Sequence, residues 1–241
     1  MSQDQEKNFE VKAEKILSYL KSKQRYDEKF LPRPFFLEFT GSPSAGKTTT
    51  IKELDTFFRK QGFRVLCPQE GAEVIRHISR STPVYNIRTG LYALTMLLDL
   101  SYGHNYDIVI FDRCVFDVYC WMMYWEGKQK LSPEEKNLIQ SFFLSPLWMN
   151  KIDVAYFMVS DPKVAMDREM RIALSSKVGE TTNPDAIATL ARRYKDAYQI
   201  LMPTYPQLHL LDTTKLTEYE MVHQIATTVL NLLEDKTKNG S

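Results

Sequence analysis

The fold is decided by one stretch of the sequence, Gly41-Ser42-Pro43-Ser44-Ala45-Gly46-Lys47-Thr48, which has the pattern G-x-x-x-x-G-K-T. The apolar run before it, residues 34–39, predicts a short buried strand. After it, apolar residues recur at helical spacing over residues 48–60. Glycines let successive backbone N–H groups surround an anion, and the first turn of a helix presents further unpaired N–H groups to it. The stretch therefore predicts a phosphate-binding loop between a strand and a helix.

Residue types within this loop predict how it would hold a nucleotide. Lys47 is expected to reach the β- and γ-phosphates, and the Thr48 hydroxyl is expected to ligate Mg²⁺. The residues predicted to bind the nucleotide are Gly41, Ser44, Ala45, Gly46, Lys47, Thr48 and Thr49. The alternative is a Gly- and Ser-rich turn that binds nothing. The strand before the loop and the helix after it favour nucleotide binding.

The composition excludes several classes of function. The 31 Lys and Arg residues nearly balance the 30 Asp and Glu residues, so no global charge attracts the chain to nucleic acid or to an anionic membrane. No apolar run approaches the roughly 18 residues of a membrane span, and the polar, acidic N-terminus argues against a secretory signal. The cysteines, Cys67, Cys114 and Cys120, lack metal-ligand spacing. They suit a reducing compartment, and the expected location is cytoplasmic.

Short apolar runs alternate with helical patterns along the chain. Strands are predicted at residues 34–39, 62–68, 107–112, 154–159 and 208–212. The longer helices are predicted at about residues 9–23, 48–60, 86–102, 133–144, 162–175, 184–201 and 218–233. Nearly all-apolar strands are typical of parallel sheets that are covered on both faces. The expected fold class is therefore α/β, a three-layer P-loop NTPase fold with a five-stranded parallel sheet.

Three parts of the chain are expected. Residues 1–33 are predicted to form an N-terminal helical extension, residues 34–233 the P-loop domain, and residues 234–241 a flexible tail. The extension is interpreted first as a helix that packs on the domain surface. Binding to a partner or to a membrane surface is the alternative.

Charged side chains follow the predicted strands, where ligands of parallel sheets gather. Glu70 follows the second strand, and Asp112 and Arg113 directly follow the third. Asp112 has the setting of a Walker B acid and is expected to ligate Mg²⁺ together with Thr48; the alternative is a strand-end cap. Arg113 is suited to bidentate contact with a phosphate. Either Glu70 or Asp112 is expected to accept the proton of an attacking hydroxyl, and Glu70 has the alternative role of a helix cap.

A later helix carries Arg168 and Arg171, which stand three residues apart and share one face. With Lys177 they are expected to close over the phosphates as a lid, and the alternative is a solvated helix face. The predicted catalytic groups are Lys47, Glu70, Asp112, Arg113, Arg168 and Arg171. The residues expected to bind the acceptor of the phosphoryl group are Arg88, Tyr92 and Phe116.

Taken in order, these motifs resemble the nucleoside and nucleotide kinase branch of P-loop proteins, especially thymidylate kinases and deoxynucleoside kinases. The resemblance covers about residues 34–232 and rests on FFLEFTGSPSAGKTTT, VIFDR, KIDVAYFMVSDPKVAMDREMR and LHLLDTT. It implies a five-stranded parallel core, ATP with Mg²⁺, and an acceptor between the second and third strands and the long helix. The chain departs from that pattern at residues 172–177, which lack a dense Arg-x-Arg series, at Asp112, where many relatives have Glu, and at Gln69-Glu70-Gly71.

The expected function is ATP- and Mg²⁺-dependent phosphoryl transfer to a small acceptor, by resemblance a nucleoside or nucleoside monophosphate. The alternative is a regulatory switch or scaffold that binds a nucleotide and hydrolyses it slowly, since the chain also resembles P-loop ATPases of the nicotinamide-riboside-kinase type. The sequence lacks an Asn-Lys-x-Asp guanine signature. No basic aromatic groove is evident, so no nucleic-acid partner is expected. The sequence is compatible with a homodimer as well as with a monomer.

Overall fold

Five parallel strands form one sheet at the centre of the computed structural model, which describes residues 3–24, 33–103, 105–172 and 183–239. The strands are β1 (Phe35–Gly41), β2 (Val65–Leu66), β3 (Ile108–Asp112), β4 (Val154–Val159) and β5 (Leu208–Asp212). Their order across the sheet is β2-β3-β1-β4-β5. The predicted five-stranded parallel sheet is confirmed.

Helices cover both faces of this sheet. In chain order they are α1 (Gln3–Gln24), α2 (Lys47–Lys60), α3 (Gly71–Val74), α4 (Pro83–Ser101), α5 (Val115–Gly127), α6 (Pro133–Phe143), α7 (Pro146–Met149), α8 (Pro162–Ile172), α9 (Pro184–Leu201) and α10 (Glu218–Asn239). One hydrophobic core lies between the sheet and α4, α5 and α9, and a second lies between the sheet and α1, α2 and α10. This is the expected three-layer arrangement.

The central position of β1 sets the place of the phosphate-binding loop. Along β1, Phe36 packs into the core on the α5 side, whereas Leu37 packs into the core on the α2 side. The parallel register pairs Phe39 of β1 with Asp112 of β3. The loop that follows β1 and the carboxylate of Asp112 at the end of β3 therefore lie side by side, at the carboxyl ends of the strands.

The N-terminus of α4 differs from its prediction. Residues 81–83 were expected to interrupt a helix, and the next helix was expected from about Asn86. Instead, Thr82 is the N-cap residue of α4, its hydroxyl accepts a hydrogen bond from the backbone N–H of Tyr85, and Pro83 occupies the first turn. Proline is compatible with that turn because its missing N–H has no partner there in any case.

Other elements also differ in length. The strand predicted at 62–68 is reduced to β2. The short helix α3 that follows ends at Val74, because Ile75 is extended with a ψ of 91°. The aromatic-rich segment after β3 forms α5, which was not predicted as a helix because its side chains are buried almost all round and show no apolar stripe. Helix α10 continues to Asn239, through most of the predicted tail.

The N-terminal helix α1 packs against α10 and α2. The Phe9 ring lies 4.6 Å from the His223 ring and 6.4 Å from the Phe57 ring. Lys12 forms a 3.0 Å ion pair with Glu234. Within the described ranges, no helix combines the length and the hydropathy needed to cross a membrane.

Gly41 ends β1 where no other residue fits. Its φ is 144°, and a Cβ added there would lie 1.8 Å from the carbonyl oxygen of Met158 on β4. We expect Gly41→Ala to lower the free energy of unfolding by about 2–4 kcal/mol, measured by chemical denaturation. Gly103→Ala is the control, because its Cβ would meet the Leu100 carbonyl oxygen at an ordinary 3.6 Å. Equal stability of the two variants would contradict this prediction.

Candidate phosphate-binding loop and adjoining cavity

The loop between β1 and α2 has the backbone conformation of an anion-binding turn. Ser44 has a φ of 53° and Gly46 a φ of 94°, both in the left-handed region. Gly46 is the N-cap residue of α2 and makes no side-chain cap, so no side chain competes for the first N–H groups of that helix. The residues predicted to bind the nucleotide lie at the end of β1, in this loop or in the first turn of α2.

Lys47 begins α2 and folds back over the loop. Its Nζ donates hydrogen bonds to the carbonyl oxygens of Ser42 (2.8 Å) and Gly41 (3.1 Å), and only 7% of the residue is exposed. Burial and, to a lesser extent, the charge of Arg113 lower the pKa of Lys47 to about 8, although nearby carboxylates oppose the shift. A buried ammonium group with neutral partners favours the arrival of an anion, which stabilises its charged form.

Thr48 and Asp112 meet beside this lysine. The Thr48 hydroxyl lies 3.2 Å from Oδ2 of Asp112. The other carboxylate oxygen, Oδ1, is buried and has no hydrogen-bond partner among the described residues. An unpartnered buried carboxylate oxygen next to a hydroxyl fits a Mg²⁺ ion, which binds one or two carboxylates and completes its shell with phosphate oxygens and water. Asp112 therefore does not form the strand-end cap that was its alternative role.

A cavity of about 320 Å³ lies beyond the carboxyl end of β3, where Arg113 and Cys114 form part of its wall. It is enclosed by the segment around α3, by one face of α4 and by the first turns of α5. Its polar and aromatic lining consists of Glu70, Glu73, Arg80, Tyr85, Asn86, Thr89, Arg113, Asp117 and Trp121. Its size and its few convergent polar groups are those of a small-molecule site.

Arg113 joins two carboxylates at the mouth of this cavity. Its Nε donates to Oε1 of Glu70 at 3.0 Å, and its NH1 donates to Oδ1 of Asp117 at 2.9 Å. Arg113 has a φ of 68°, a left-handed conformation that only fixed surroundings maintain in a residue with a Cβ. Burial raises the pKa of Glu70, although the charge of Arg113 lowers it. The Glu70 side chain makes no cap on α3, so its alternative role as a helix cap is not observed.

The helix expected to carry a lid, α8, lies against the phosphate-binding loop. Arg168 donates to the Thr213 carbonyl oxygen at 2.8 Å and to the Ser44 carbonyl oxygen at 3.4 Å. The neighbouring Glu169 accepts a 2.5 Å hydrogen bond from the Ser44 hydroxyl. Arg171 is exposed, so the structure brings one of the two predicted arginines to the loop. Lys177 lies outside the described residues.

The three residues expected to bind the acceptor do not line this cavity. Arg88 is exposed, Tyr92 is half-buried, and neither lines the cavity, because the face of α4 that does so carries Tyr85 and Thr89. Each residue turns the helix by about 100°, so a shift of a few positions moves a side chain off that face. Phe116 is fully buried in the core, where its ring lies edge-on to other aromatic rings.

One buried group at the site was not predicted from the sequence. Glu38 of β1 is fully buried, and its carboxylate accepts hydrogen bonds from backbone N–H groups at the start of α5. A glutamate inside the apolar run 34–39 was the available signal, since buried carboxylates in proteins are almost always paired. The run was interpreted only as a buried strand.

Comparison with known proteins identifies the family. A family model described as an AAA domain matches residues 37–183, which is more than half of the chain. The chain belongs to this AAA-domain family. A solved structure of deoxyadenosine kinase from M. mycoides, with the products dCMP and a flexible dCDP bound, resembles it with a TM-score of 0.59 at 16% sequence identity. The match covers 82% of this chain and 99% of that chain. No curated protein matches the sequence significantly.

The two findings agree with the fold. The matched AAA-domain region begins within β1, includes the whole phosphate-binding loop and reaches the N-terminus of α9. The structural match extends over most of the chain. The α/β fold class is confirmed, and the fold is similar to that of a solved deoxyadenosine kinase.

Proposed function

We propose that this protein transfers the γ-phosphoryl group of ATP to a hydroxyl group of a small acceptor, a nucleoside or a nucleoside monophosphate. The observation that carries the proposal is the junction at Arg113. There Asp112, which meets Thr48 of the phosphate-binding loop, is followed directly by Arg113, which holds the Glu70 carboxylate in the cavity. A donor site and an acceptor site that share one edge of the sheet suit direct transfer between two bound molecules.

The ATP phosphates bind the loop, where Lys47 and the N-terminus of α2 offset their charge. Thr48 and Asp112 would hold Mg²⁺, which would supply positive charge to offset that of the phosphate oxygens. Arg168, already placed against the loop by Thr213, lies where it can offset further charge on the triphosphate.

Glu70 is assigned as the general base, and Asp112 is assigned to the metal ion. The acceptor hydroxyl oxygen attacks the γ-phosphorus, the bond from that phosphorus to the β-phosphate oxygen breaks, and the hydroxyl proton passes to Glu70. A base must be within hydrogen-bond reach of the acceptor, and Glu70 lines the cavity whereas Asp112 does not. Arg113 holds the Glu70 carboxylate and adds positive charge beside the transferred group.

The charges of the cavity favour an acceptor without its own phosphate. Its lining contains the carboxylates of Glu70, Glu73 and Asp117 and only two arginines. Arg113 is paired with two of those carboxylates, and Arg80 donates to the Ala72 carbonyl oxygen at 3.1 Å. The carboxylates that line the cavity therefore outnumber its arginines by three to two, and two of the three carboxylates already hold Arg113. A nucleoside is therefore favoured over a nucleoside monophosphate.

The test is ATP consumption by the purified protein with Mg²⁺, measured across matched pairs of nucleosides and their monophosphates. We expect turnover that depends on a nucleoside and exceeds turnover with its monophosphate by at least about tenfold. A preference for monophosphates would contradict the charge argument. ATP binding that no acceptor stimulates would contradict the kinase proposal and favour the regulatory switch.

A further inference from the structure

Glu38 occupies a position where a carboxylate is costly. It lies within the central strand, opposite Phe111 of β3 and Ala155 of β4, and is fully buried. Its neighbour on the same face of β1, Phe36, packs into an apolar core. Burial raises the pKa of Glu38 to about 8, and the nearby charge of Asp117 adds to this effect, against three backbone N–H donors that lower it. A group retained at such a cost needs a specific role.

The partners of Glu38 are the first N–H groups of α5. Its Oε1 accepts from the N–H groups of Cys114 (3.0 Å) and Asp117 (3.1 Å), and its Oε2 accepts from the N–H of Phe116 (3.3 Å). Cys114, the N-cap residue of α5, makes no side-chain cap of its own. Glu38 therefore supplies, from a different element, the cap that α5 lacks.

Asp117, in the first turn of α5, carries the carboxylate that holds Arg113. Oδ1 of Asp117 accepts hydrogen bonds from NH1 of Arg113 (2.9 Å), from the Tyr194 hydroxyl (2.6 Å) and from the Thr40 hydroxyl. Arg113 precedes α5 by two residues, and its Nε holds Glu70. A continuous set of hydrogen bonds thus runs from β1, just before the phosphate-binding loop, to the cavity.

We propose that Glu38 is a positioning residue, which fixes the first turn of α5 and, through Asp117 and Arg113, sets the place of Glu70 in the cavity. The expected effect of Glu38 on kcat rests on the proposed function, whereas its expected effect on the first turn of α5 does not. Glu38 does not itself line the cavity, so it acts through the residues that its carboxyl group holds.

The test is Glu38→Gln, which keeps the shape of the side chain but replaces one acceptor oxygen by an amide donor. We expect backbone amide hydrogen exchange at Phe116 and Asp117 to become about tenfold faster, as for the loss of a helix cap. We expect kcat to fall on the order of 10- to 100-fold, because Glu70 is displaced, while KM for ATP stays unchanged. If this variant does not fold, Glu38→Asp, which keeps the carboxyl group and shortens its reach, gives the same test with smaller effects.

Ser132→Ala is the matched control, because it removes the N-cap of a helix that does not line the cavity. The Ser132 hydroxyl accepts from the N–H of Glu135 in the capping box of α6. This variant is expected to lose stability and to keep the wild-type kcat. If Glu38→Gln behaves like Ser132→Ala, with faster exchange and normal kinetics, Glu38 is only structural and the proposal is overturned.

Two further outcomes separate this proposal from the proposed function. Wild-type exchange at Phe116 and Asp117 in Glu38→Gln would overturn the positioning role, whatever the activity. If the wild-type protein phosphorylates no acceptor, the proposed function fails. In that case the NMR signal of the Arg113 Nε–H group tests whether Glu38 positions Arg113. The signal is expected to shift in Glu38→Gln, and an unchanged signal would overturn the proposal.

Discussion

Lys47→Ala is expected to abolish ATP-dependent phosphoryl transfer while it leaves the fold intact. The ammonium group of Lys47 is the cation placed within the phosphate-binding loop, where low exposure strengthens its interaction with phosphate. Loss of a single preorganised charge or donor at a transferring group costs on the order of 10²- to 10³-fold in kcat. The measurement is the initial rate of ADP formation at saturating acceptor, together with ATP binding by calorimetry.

The fold should survive because Lys47 contributes little to the core. Its Nζ bonds only to two carbonyl oxygens of the loop, and α2 is anchored by the apolar side chains of Ile51, Leu54 and Phe58. Lys52→Ala is the control, since that lysine is exposed on the same helix. Both variants should unfold at similar temperatures, and only Lys47→Ala should be inactive. Normal turnover by Lys47→Ala would refute the assignment of the loop.

Local signals explain why so much of the fold could be predicted. The conformation of the phosphate-binding loop depends on Gly41 and Gly46, which have positive φ, and on the adjoining strand and helix, all within about 25 residues. The strand β4 was predicted with its observed bounds, 154–159, because a fully buried parallel strand is a continuous apolar run. Each of these features is encoded where it occurs.

The lining of the cavity and the residues that hold it in place depend on how separate helices and strands pack together. Patterns within one segment of the sequence do not show that packing. Which face of α4 lines the cavity follows from how α4 packs on α5, so Tyr85 and Thr89 were missed in favour of Arg88 and Tyr92. The capping of α5 by Glu38 joins residues 76–79 positions apart. A helix buried almost all round has no amphipathic period, so α5 could not be recognised from an apolar stripe either.

The same limit applies to the choice of general base. The sequence placed both Glu70 and Asp112 at strand ends but could not separate their roles. In the structure Asp112 approaches the Thr48 hydroxyl, while Glu70 pairs with Arg113 and lines the cavity. That difference makes the two carboxylates experimentally separable.

Glu70→Gln is expected to lower kcat by about 10²- to 10⁴-fold, the usual contribution of a general base. Glutamine keeps a hydrogen bond to Arg113 through its oxygen, so the cavity keeps its shape and KM for ATP should stay near the wild-type value. The Mg²⁺ concentration needed for half-maximal rate should also stay the same. Asp112→Asn should instead raise that Mg²⁺ concentration, because it removes charge from the proposed metal site.

The pH dependence of kcat provides the sharper test. A general base works only when it is deprotonated, so the wild-type kcat should rise with pH through the pKa of Glu70 and then level off. Burial raises that pKa above the ordinary value of 4.5, so the rise should be centred above 4.5. In Glu70→Gln the acidic limb should vanish, whereas in Asp112→Asn it should persist. If the acidic limb of the kcat profile instead vanished in Asp112→Asn and persisted in Glu70→Gln, Asp112 and not Glu70 would be the general base.

Asp107→Asn is the matched control for Glu70→Gln. Asp107 also pairs with an arginine, Arg64, at 2.7 Å, but it precedes β3 and therefore lies at the opposite edge of the sheet from Glu70. Breaking this pair should lower stability and leave both kcat and its acidic limb unchanged. If Asp107→Asn reduced kcat as much as Glu70→Gln, loss of an arginine pair and not loss of a base would explain the result. A large effect confined to Glu70→Gln would assign proton acceptance to the carboxylate that Arg113 holds in the cavity.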